Sequence, residues 1–439
     1  MAEGTGPGVA VEQERLQESV GRLLGPDRIA TATPADAIDG VQPSIVVEPR
    51  SVDEAARVMA WANEAGAKLA PRGSGSKMGW GNVPRGIDVV LSTLQLDQLV
   101  EHAAGDMTAT VQAGLELGQL QQALGREGQM LALDPPFSNR ATIGGLVATN
   151  DSGPLRLRYG GIRDQVLGVT LVRADGVVTR AGGKVVKNVA GYDLSKLVTG
   201  SLGTLGLIVQ ATFRLYPRPD ESQTLLVRAS SVEQASALML ELLDAPLVPT
   251  GLTLRWRGEA GCELFLRLSG VAASVAAQSD RAHEIIRTHQ LESSTLTGAQ
   301  ADAAWQDLIE SPWSASENAL VARLSVLPTE AAPALLGLQE IAQQTGLRAN
   351  AVINAHGLGV VRLEDSQSAE NGMLTAAEEL RQSVSKRHGT LVMLSLPLSV
   401  KPRLDVWGPA PDALPLMRRV KTQLDPKRVL NPGRFVGGI

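Results

Sequence analysis

The sequence predicts an α+β fold on three observations. A strand–helix–strand run opens into a glycine-rich loop near residue 71. Glycine is dense over 141–206. After Pro219 the texture changes to recurrent strand–helix units whose helices are rich in alanine and leucine. A chain of 439 residues, 44% hydrophobic and 20% charged, is long enough for two or three domains with a sizeable core. Its net charge of −5 and pI near 5.7 give no support for wrapping nucleic acid.

Taken in order, residues 9–24 place Leu16, Val20, Leu23 and Leu24 on one helical face. "PSIVVEP" (43–49) has a buried-strand pattern, and "SVDE" (51–54) is a capping box that opens a helix ending at Gly66. A short extended stretch, Lys68-Leu69-Ala70, then feeds "PRGSGSKMGWG" (71–81). Bare main chain in such a loop converges N–H groups on an anion. The loop lacks the spacing of a nucleotide-triphosphate loop, and Met78 stands where G-x-G-x-x-G needs its third glycine. Strands are expected at 86–93 and 107–114, a helix at 116–128, a hairpin at 165–182 turning on Ala174-Asp175-Gly176, and a long strand at 203–217. Beyond Pro219 the alternating units suggest a second α+β domain over about 221–405, followed by a short helix and a proline-punctuated tail at 418–435.

The single cysteine, Cys262, excludes an internal disulfide framework and any four-thiolate metal or iron–sulfur site, and points to a reducing cytoplasm. The first twenty residues lack a basic start and an apolar core, so no secretory signal is expected, and no apolar run suggests membrane insertion.

Three glycine clusters stand apart: 71–77, 134–154, and 187–208, in which Gly200, Gly203 and Gly206 are spaced by three. Singly, each is ordinary turn chemistry. Together they suit a long ligand with a diphosphate bridge approached by backbone at several places, and flavin adenine dinucleotide (FAD) has that shape.

These residues carry a resemblance. "PRGSGS", "ATIGGLVATNDSG", "GYDLSKLVTGSLGTLGLI" and "LDPKRVLNPGRF" resemble, in order and spacing, the FAD-binding domain of the vanillyl-alcohol-oxidase/p-cresol-methylhydroxylase (PCMH) superfamily, over 43–217 and 418–435. More narrowly, "GSGSKMGWGN" and "YGGIRDQVLGVTLVRADG" are similar to the FAD-binding E subunits of bacterial glycolate oxidases. The resemblance implies a two-subdomain PCMH-type FAD-binding domain with an α+β cap. The corresponding division is an N-terminal helical segment (1–42), the FAD-binding domain (43–220), the cap (221–405) and a C-terminal segment (406–439) returning to the FAD domain. It implies that Pro71, Arg72, Gly73, Ser74, Gly75 and Ser76 bind the pyrophosphate. Pro135, Thr142, Gly144, Gly145, Ala148, Asn150, Ser152 and Gly153 would wall the ribityl and ring region. Gly203, Thr204, Gly206 and Ile208 would line the adenine end, with Asn431 returning to the flavin. Ser76 stands where several relatives carry a flavin-tethering histidine, and 134–154 holds no cysteine, so noncovalent FAD is implied.

The substrate site is less legible. Oxidation of a 2-hydroxy acid needs a cation for the carboxylate and a base for the hydroxyl proton. Of the five histidines, His283 and His289 read as a solvated helix face, and His102 and His388 carry no motif. "AHGLGVVRL" (355–363) resembles an eroded G-H-x-G-D-G-N-x-H motif: His356 is present, but Arg362 or Leu363 falls where the second histidine belongs. No metal site is therefore expected, and no catalytic base is assigned. Arg255, Arg257 and Arg267 are candidate carboxylate clamps. The resemblance implies a subunit that oxidises glycolate to glyoxylate beside a second FAD subunit and an iron–sulfur subunit. It would be cytoplasmic, or peripheral at the inner membrane through those partners. The rivals are a self-sufficient FAD-dependent 2-hydroxy-acid dehydrogenase and a noncatalytic assembly subunit stabilised by flavin; an NADPH-linked reductase lacks its fingerprint.

Overall fold

The computed structural model describes residues 7–183, 192–314, 316, 318–364 and 370–439. The opening helix α1 (Pro7–Leu24) buries Leu16 and Val20, and Leu23 and Leu24 pack against the same cluster. Strands β1 (Ile29–Thr31) and β2 (Ile45–Val47) pair antiparallel. Helix α2 (Val52–Ala65) then turns its Ala55, Val58, Met59 and Ala62 stripe inward, and left-handed Gly66 ends it. The cap of α2 is half of the expected box. Ser51 accepts from Glu54 N–H, but the Glu54 carboxylate accepts from Arg50 N–H at 2.7 Å, one residue before the expected donor. Strands β3 (Leu69–Arg72) and β4 (Val89–Ser92) complete a sheet of order β1-β2-β4-β3, parallel among its last three members. The parallel strands are buried nearly throughout, as a sheet covered on both faces requires.

The next strands are β5 (Leu99–Ala103), β6 (Thr108–Gln112), β7 (Gln129–Met130), β8 (Val166–Val172), β9 (Val178–Gly182), β10 (Leu207–Arg214) and β11 (Tyr216–Pro217). Five of them form an antiparallel sheet of order β5-β6-β10-β8-β9, and β11 pairs with β7. The expected hairpin is the β8–β9 pair. Gly176 N–H closes its turn on Arg173 O at 2.9 Å. Strand β5 was not expected, because its "LVEHA" has too weak an alternation to read as a half-buried strand. Helices α3 (Leu117–Gly125) and α4 (Ile143–Thr149) lie between β6 and β8, and α4 packs across β10. Residues 187–191 of the third glycine cluster lie outside the described residues.

The remaining strands are β12 (Glu221–Ala229), β13 (Gly251–Trp256), β14 (Cys262–Gly270), β15 (Ser293–Thr297), β16 (Ala319–Ser325), β17 (Arg348–Asn354), β18 (Leu358–Glu364) and β19 (Thr390–Ser395). They form one antiparallel sheet of order β15-β12-β14-β13-β17-β18-β16-β19. Side chains alternate between its faces. Leu252, Leu254, Leu320, Ala322, Leu324, Ala351, Ile353, Val361 and Leu363 point into a core closed by helices Val232–Asp244, Ala272–Thr288, Ala331–Thr345 and Glu370–Lys386. The intervening residues Thr253, Arg323, Val352, Asn354 and Val360 line a cavity on the opposite face. Cys262 is buried on the helical side, where burial and then Glu233 push its thiol up to about 11.

The chain returns at its end. After helix Leu414–Leu424, Leu430 bridges to Leu69 in parallel and Leu69 N–H donates to Val429 O at 2.7 Å. Asn431 N–H donates to Leu69 O at 2.8 Å. Among the described residues no helix is long and apolar enough to cross a membrane.

Candidate active site

The loop after β3 turns on Gly75, whose φ of +81° lies in the left-handed region that residues with a Cβ enter at a cost. A side chain there would meet nothing nearer than Arg72 Cδ at 3.8 Å. Met78 N–H closes on Gly75 O, and the amides of Ser74, Gly75, Ser76 and Lys77 take no protein acceptor among the described residues. Gly73 serves close approach instead. A Cβ on it would lie 2.0 Å from Thr142 Oγ1, so the end of β3 reaches the start of α4 only through a bare α-carbon.

One groove gathers these parts. Pro71, Gly73, Ser74, Gly75, Ser76, Lys77 and Met78 form one wall, and Thr142, Gly145, Ala148 and Thr149 of the α4 segment form another. Leu202, Asn431 and Arg434 close it. Asn431 Nδ2 donates to Leu202 O at 2.6 Å. Arg434 donates to the carbonyls of Met78 and Trp80, and burial lowers its pKa to about 10 against the opposing charge of Asp39. Among the described residues the lining contains one lysine, one arginine and no carboxylate. Four amides without protein acceptors, open space at a left-handed glycine and this charge balance fit a diphosphate. No histidine or cysteine lines the groove.

Of the other residues singled out in the sequence, Asn150, Ser152 and Gly153 line the adjoining cavity, not this groove. Pro135 is buried beside Pro136, which does line that cavity. Gly153 also passes so close to Asp134 that a Cβ would fall 1.8 Å from its carbonyl oxygen. Arg72 is engaged by Asp36 at 2.6 Å. Gly144 and Gly206 are packing glycines: a Cβ at the first would meet Ala113 Cβ at 2.7 Å, and at the second Leu171 at 2.7 Å. Ile208 belongs to the apolar core. Gly203 abuts Pro71 and Asn431, and the Thr204 carbonyl accepts from Lys421 at 2.7 Å. None of Gly144, Gly203, Thr204, Gly206 and Ile208 is in the lining of the groove.

The cavity, of about 310 Å³, lies where the loop 150–156 meets the eight-stranded sheet. Arg156 and Arg323 line it. Arg323 pairs with Asp151 at 3.2 Å, and Asp151 also faces Lys77 at 3.4 Å, so one buried carboxylate orients a cation on each side. Burial lowers the pKa of Lys77, with Asp151 opposing. Arg156 donates to Ser152 Oγ at 3.1 Å, and its own pKa is lowered by burial. Three aromatic rings cluster beside the cavity, whose lining includes Trp313. Trp80 stacks on Trp313 at 5.6 Å, Phe137 meets Trp313 edge-on at 5.4 Å, and Arg323 lies 5.0 Å from the Trp80 ring centre.

The three candidate clamps are engaged elsewhere. Arg255 binds Glu263 at 2.7 Å and Asp307 at 2.5 Å, and Arg257 pairs with the same two carboxylates. Arg267 binds Asp134 at 3.0 Å and covers the Trp305 ring. None of them lines the cavity. His356 occupies the exposed turn between β17 and β18, where its surroundings and then Arg156 lower its pKa; it too is absent from the lining. Of the two residues at the place of the missing second histidine, Leu363 belongs to the apolar core, and Arg362 is buried and donates to the carbonyls of Pro312 and Ser314, which fixes the turn that carries Trp313. His102 bonds Gln129, His283 bonds Ser293 and His289 bonds Glu241; His388 takes a positive φ after helix Glu370–Lys386. Among the described residues no group of three His, Cys, Asp or Glu side chains is placed to hold a metal.

Sequence reasoning missed Lys77, Met78, Thr149, Leu202 and Arg434 in the groove, and Arg156 and Arg323 in the cavity. Arg434 had a signal, since it stands in the same "LNPGRF" segment as Asn431.

Comparison with known proteins agrees with this geometry. Residues 43–182 match the family described as FAD binding domain, and 409–435 match the C-terminal domain of FAD linked oxidases. The chain is 35% identical over 210 residues to glycolate oxidase subunit GlcD of Bacillus subtilis strain 168, a match over 48% of this chain and 45% of that one. It is 37% identical over 180 residues to subunit GlcE of Escherichia coli K12, over 41% and 50%. The match thus spans about half the length of each subunit. With D-lactate dehydrogenase of Archaeoglobus fulgidus it shares 29% identity over 417 residues, 89% of this chain and 91% of that one. In fold it is similar to p-cresol methylhydroxylase with substrate bound, at a TM-score of 0.76 and 16% identity over 98% and 97% of the two chains.

Proposed function

We propose that this chain, whose fold is similar to that of PCMH, is an FAD-linked oxidoreductase that oxidises a small 2-hydroxy acid, glycolate, to the 2-oxo acid as the FAD-binding subunit of a larger complex. The observation that carries this reading is the cavity beside the groove, with two arginines in its wall. Oxidation removes a hydride from the substrate's α-carbon and a proton from its hydroxyl. Bound FAD supplies the hydride acceptor. The residues 71–78 and 142–149 hold its diphosphate and adjoining parts without a covalent bond. Arg156 and Arg323 grip the substrate carboxylate, and Asp151 keeps Arg323 in position. Trp313, held by the rings of Trp80 and Phe137, shields the cavity from water. With one cysteine the chain holds no cluster of its own, so electrons pass to an iron–sulfur subunit, beside a second FAD subunit. The segments 1–42, 43–220, 221–405 and 406–439 are the corresponding structural units, and the complex sits in the cytoplasm or against the inner membrane through its partners.

Near-full coverage of the archaeal D-lactate dehydrogenase favours a second reading, a self-sufficient dehydrogenase of a larger 2-hydroxy acid with a diffusible acceptor. Anaerobic mixing of the purified protein with glycolate and with D-lactate separates the two. Bleaching of the flavin band by glycolate is expected, with Arg156→Gln raising the half-saturating concentration at least about tenfold through loss of a charge-assisted bond. Bleaching by D-lactate alone favours the second reading. No bleaching by any 2-hydroxy acid, even with partners restored, removes both. A separate check concerns attachment: after acid precipitation the yellow colour is expected in the supernatant, and colour retained in the pellet contradicts noncovalent binding.

A further inference from the structure

A second concavity lies at the other end of β3, formed by Lys68, Arg85 and the tail after helix Leu414–Leu424. It measures about 510 Å³, larger than the cavity at the active site. Its lining side chains include Lys68, Arg85, Arg418, Lys421, Lys427 and Arg428, and no aspartate or glutamate among the described residues. Six cations here are a strong local reversal in a chain of net charge −5.

The six are not equivalent. Lys421 is buried and saturated: its ammonium donates to Thr204 O, Asp425 Oδ2 and Leu430 O, so it forms the floor and its charge is met. Five cations remain. Lys68 spends one donor on Arg85 O, Lys427 one on Asn63 O, and Arg418 one on Gly437 O. Arg85 and Arg428 have no side-chain acceptor among the described residues, and both are exposed at the rim. Pro432, Gly433, Gly437, Gly438 and Ile439 supply the rest of the wall.

From this geometry we propose that the cleft is a binding site for linked phosphate groups, as a free polyphosphate or as the phosphate tail of a nucleotide. Several cations around one concavity, with no aspartate or glutamate side chain in its lining among the described residues, are matched by a ligand that carries several negative charges along its length. A single carboxylate meets only part of this charge. Guanidinium groups suit phosphate because their donors pair with two oxygens at once. The volume falls in the range of small-molecule sites, and convergent cations in a concavity concentrate a polyanion. The site is separate from the flavin groove. Lys68 precedes β3 and Pro71, which lines the groove, is its third residue, which sets the two about 10 Å apart along the strand.

The test uses the flavin-loaded protein, so that the diphosphate groove is filled. Isothermal titration with tripolyphosphate and with ATP, at low and at physiological salt, is expected to give one site per chain that weakens as salt rises. The double variant Arg85→Gln/Arg428→Gln is expected to weaken binding at least about tenfold, through loss of two charge-assisted pairs, with flavin content unchanged. Arg281→Gln, on a distant exposed helix, is expected to leave it unchanged. Equal affinity for both probes assigns recognition to the phosphates, and tighter binding of ATP adds a nucleoside contribution. No saturable binding at millimolar probe, equal loss in the Arg281→Gln control, or undiminished binding in the double variant overturns the proposal.

Discussion

Gly75→Val protein is expected to purify colourless and to stay so after soaking in FAD. Two effects act together. The residue sits at φ +81°, which costs a β-branched side chain on the order of 1–2 kcal/mol. The larger effect is occupancy. No protein atom lies within 3.4 Å of the added Cβ, so the side chain has room only in the groove where the diphosphate is held. The fold is expected to survive, with an apparent melting temperature close to that of the flavin-free wild type. Absorbance at the flavin band against protein content measures the result, and a mutant as yellow as the wild type would place the cofactor elsewhere. Gly144→Val is a poorer test, because its Cβ strikes Ala113 and disturbs packing whether or not a cofactor is near.

Asp425→Ala is expected to give the largest loss of stability. Asp425 is fully buried and holds three donors: Lys421 Nζ at 2.6 Å, Val429 N–H at 3.0 Å and Leu430 N–H at 2.9 Å. Its removal leaves a buried ammonium without a counter-charge and two amides without acceptors, a cost of about 3–5 kcal/mol. Burial already lowers the pKa of Lys421, with Asp425 opposing, so the lone lysine would shed its proton more readily. The double variant Lys421→Met/Asp425→Ala should recover part of the loss, since no unpaired charge remains. Thermal unfolding of wild type, single and double variants at one scan rate measures this. A single variant that melts with the wild type would mean that the pair is dispensable.

Much of the fold was legible because its signals are local. The turn at Asp175-Gly176, the stop at Gly66 and the bare loop after β3 each follow from residues a few positions apart. The groove was legible for the same reason, since its two main walls are continuous segments. The cavity was not. Arg323 sits mid-strand in "ALVARLSVL" and reads as an ordinary surface arginine until Asp151, 172 positions earlier, is folded against it. Arg267 reads identically, and its partner Asp134 withdraws it from the substrate side. Glycine misleads in a different way. Gly75 frees space for a ligand, whereas Gly144 and Gly206 let Ala113 and Leu171 come close, and nothing in the sequence distinguishes the two uses.

The groove is closed by Asn431 and Arg434, and Leu430 seals the edge of β3 against Leu69, 361 positions earlier. During synthesis this closure cannot form until those late residues have left the ribosome. A nascent chain that lacks them therefore exposes an unfinished cradle, and cofactor capture waits on their arrival. A ribosome stalled before residue 430 should hold a chain that retains no vitamin-derived ligand.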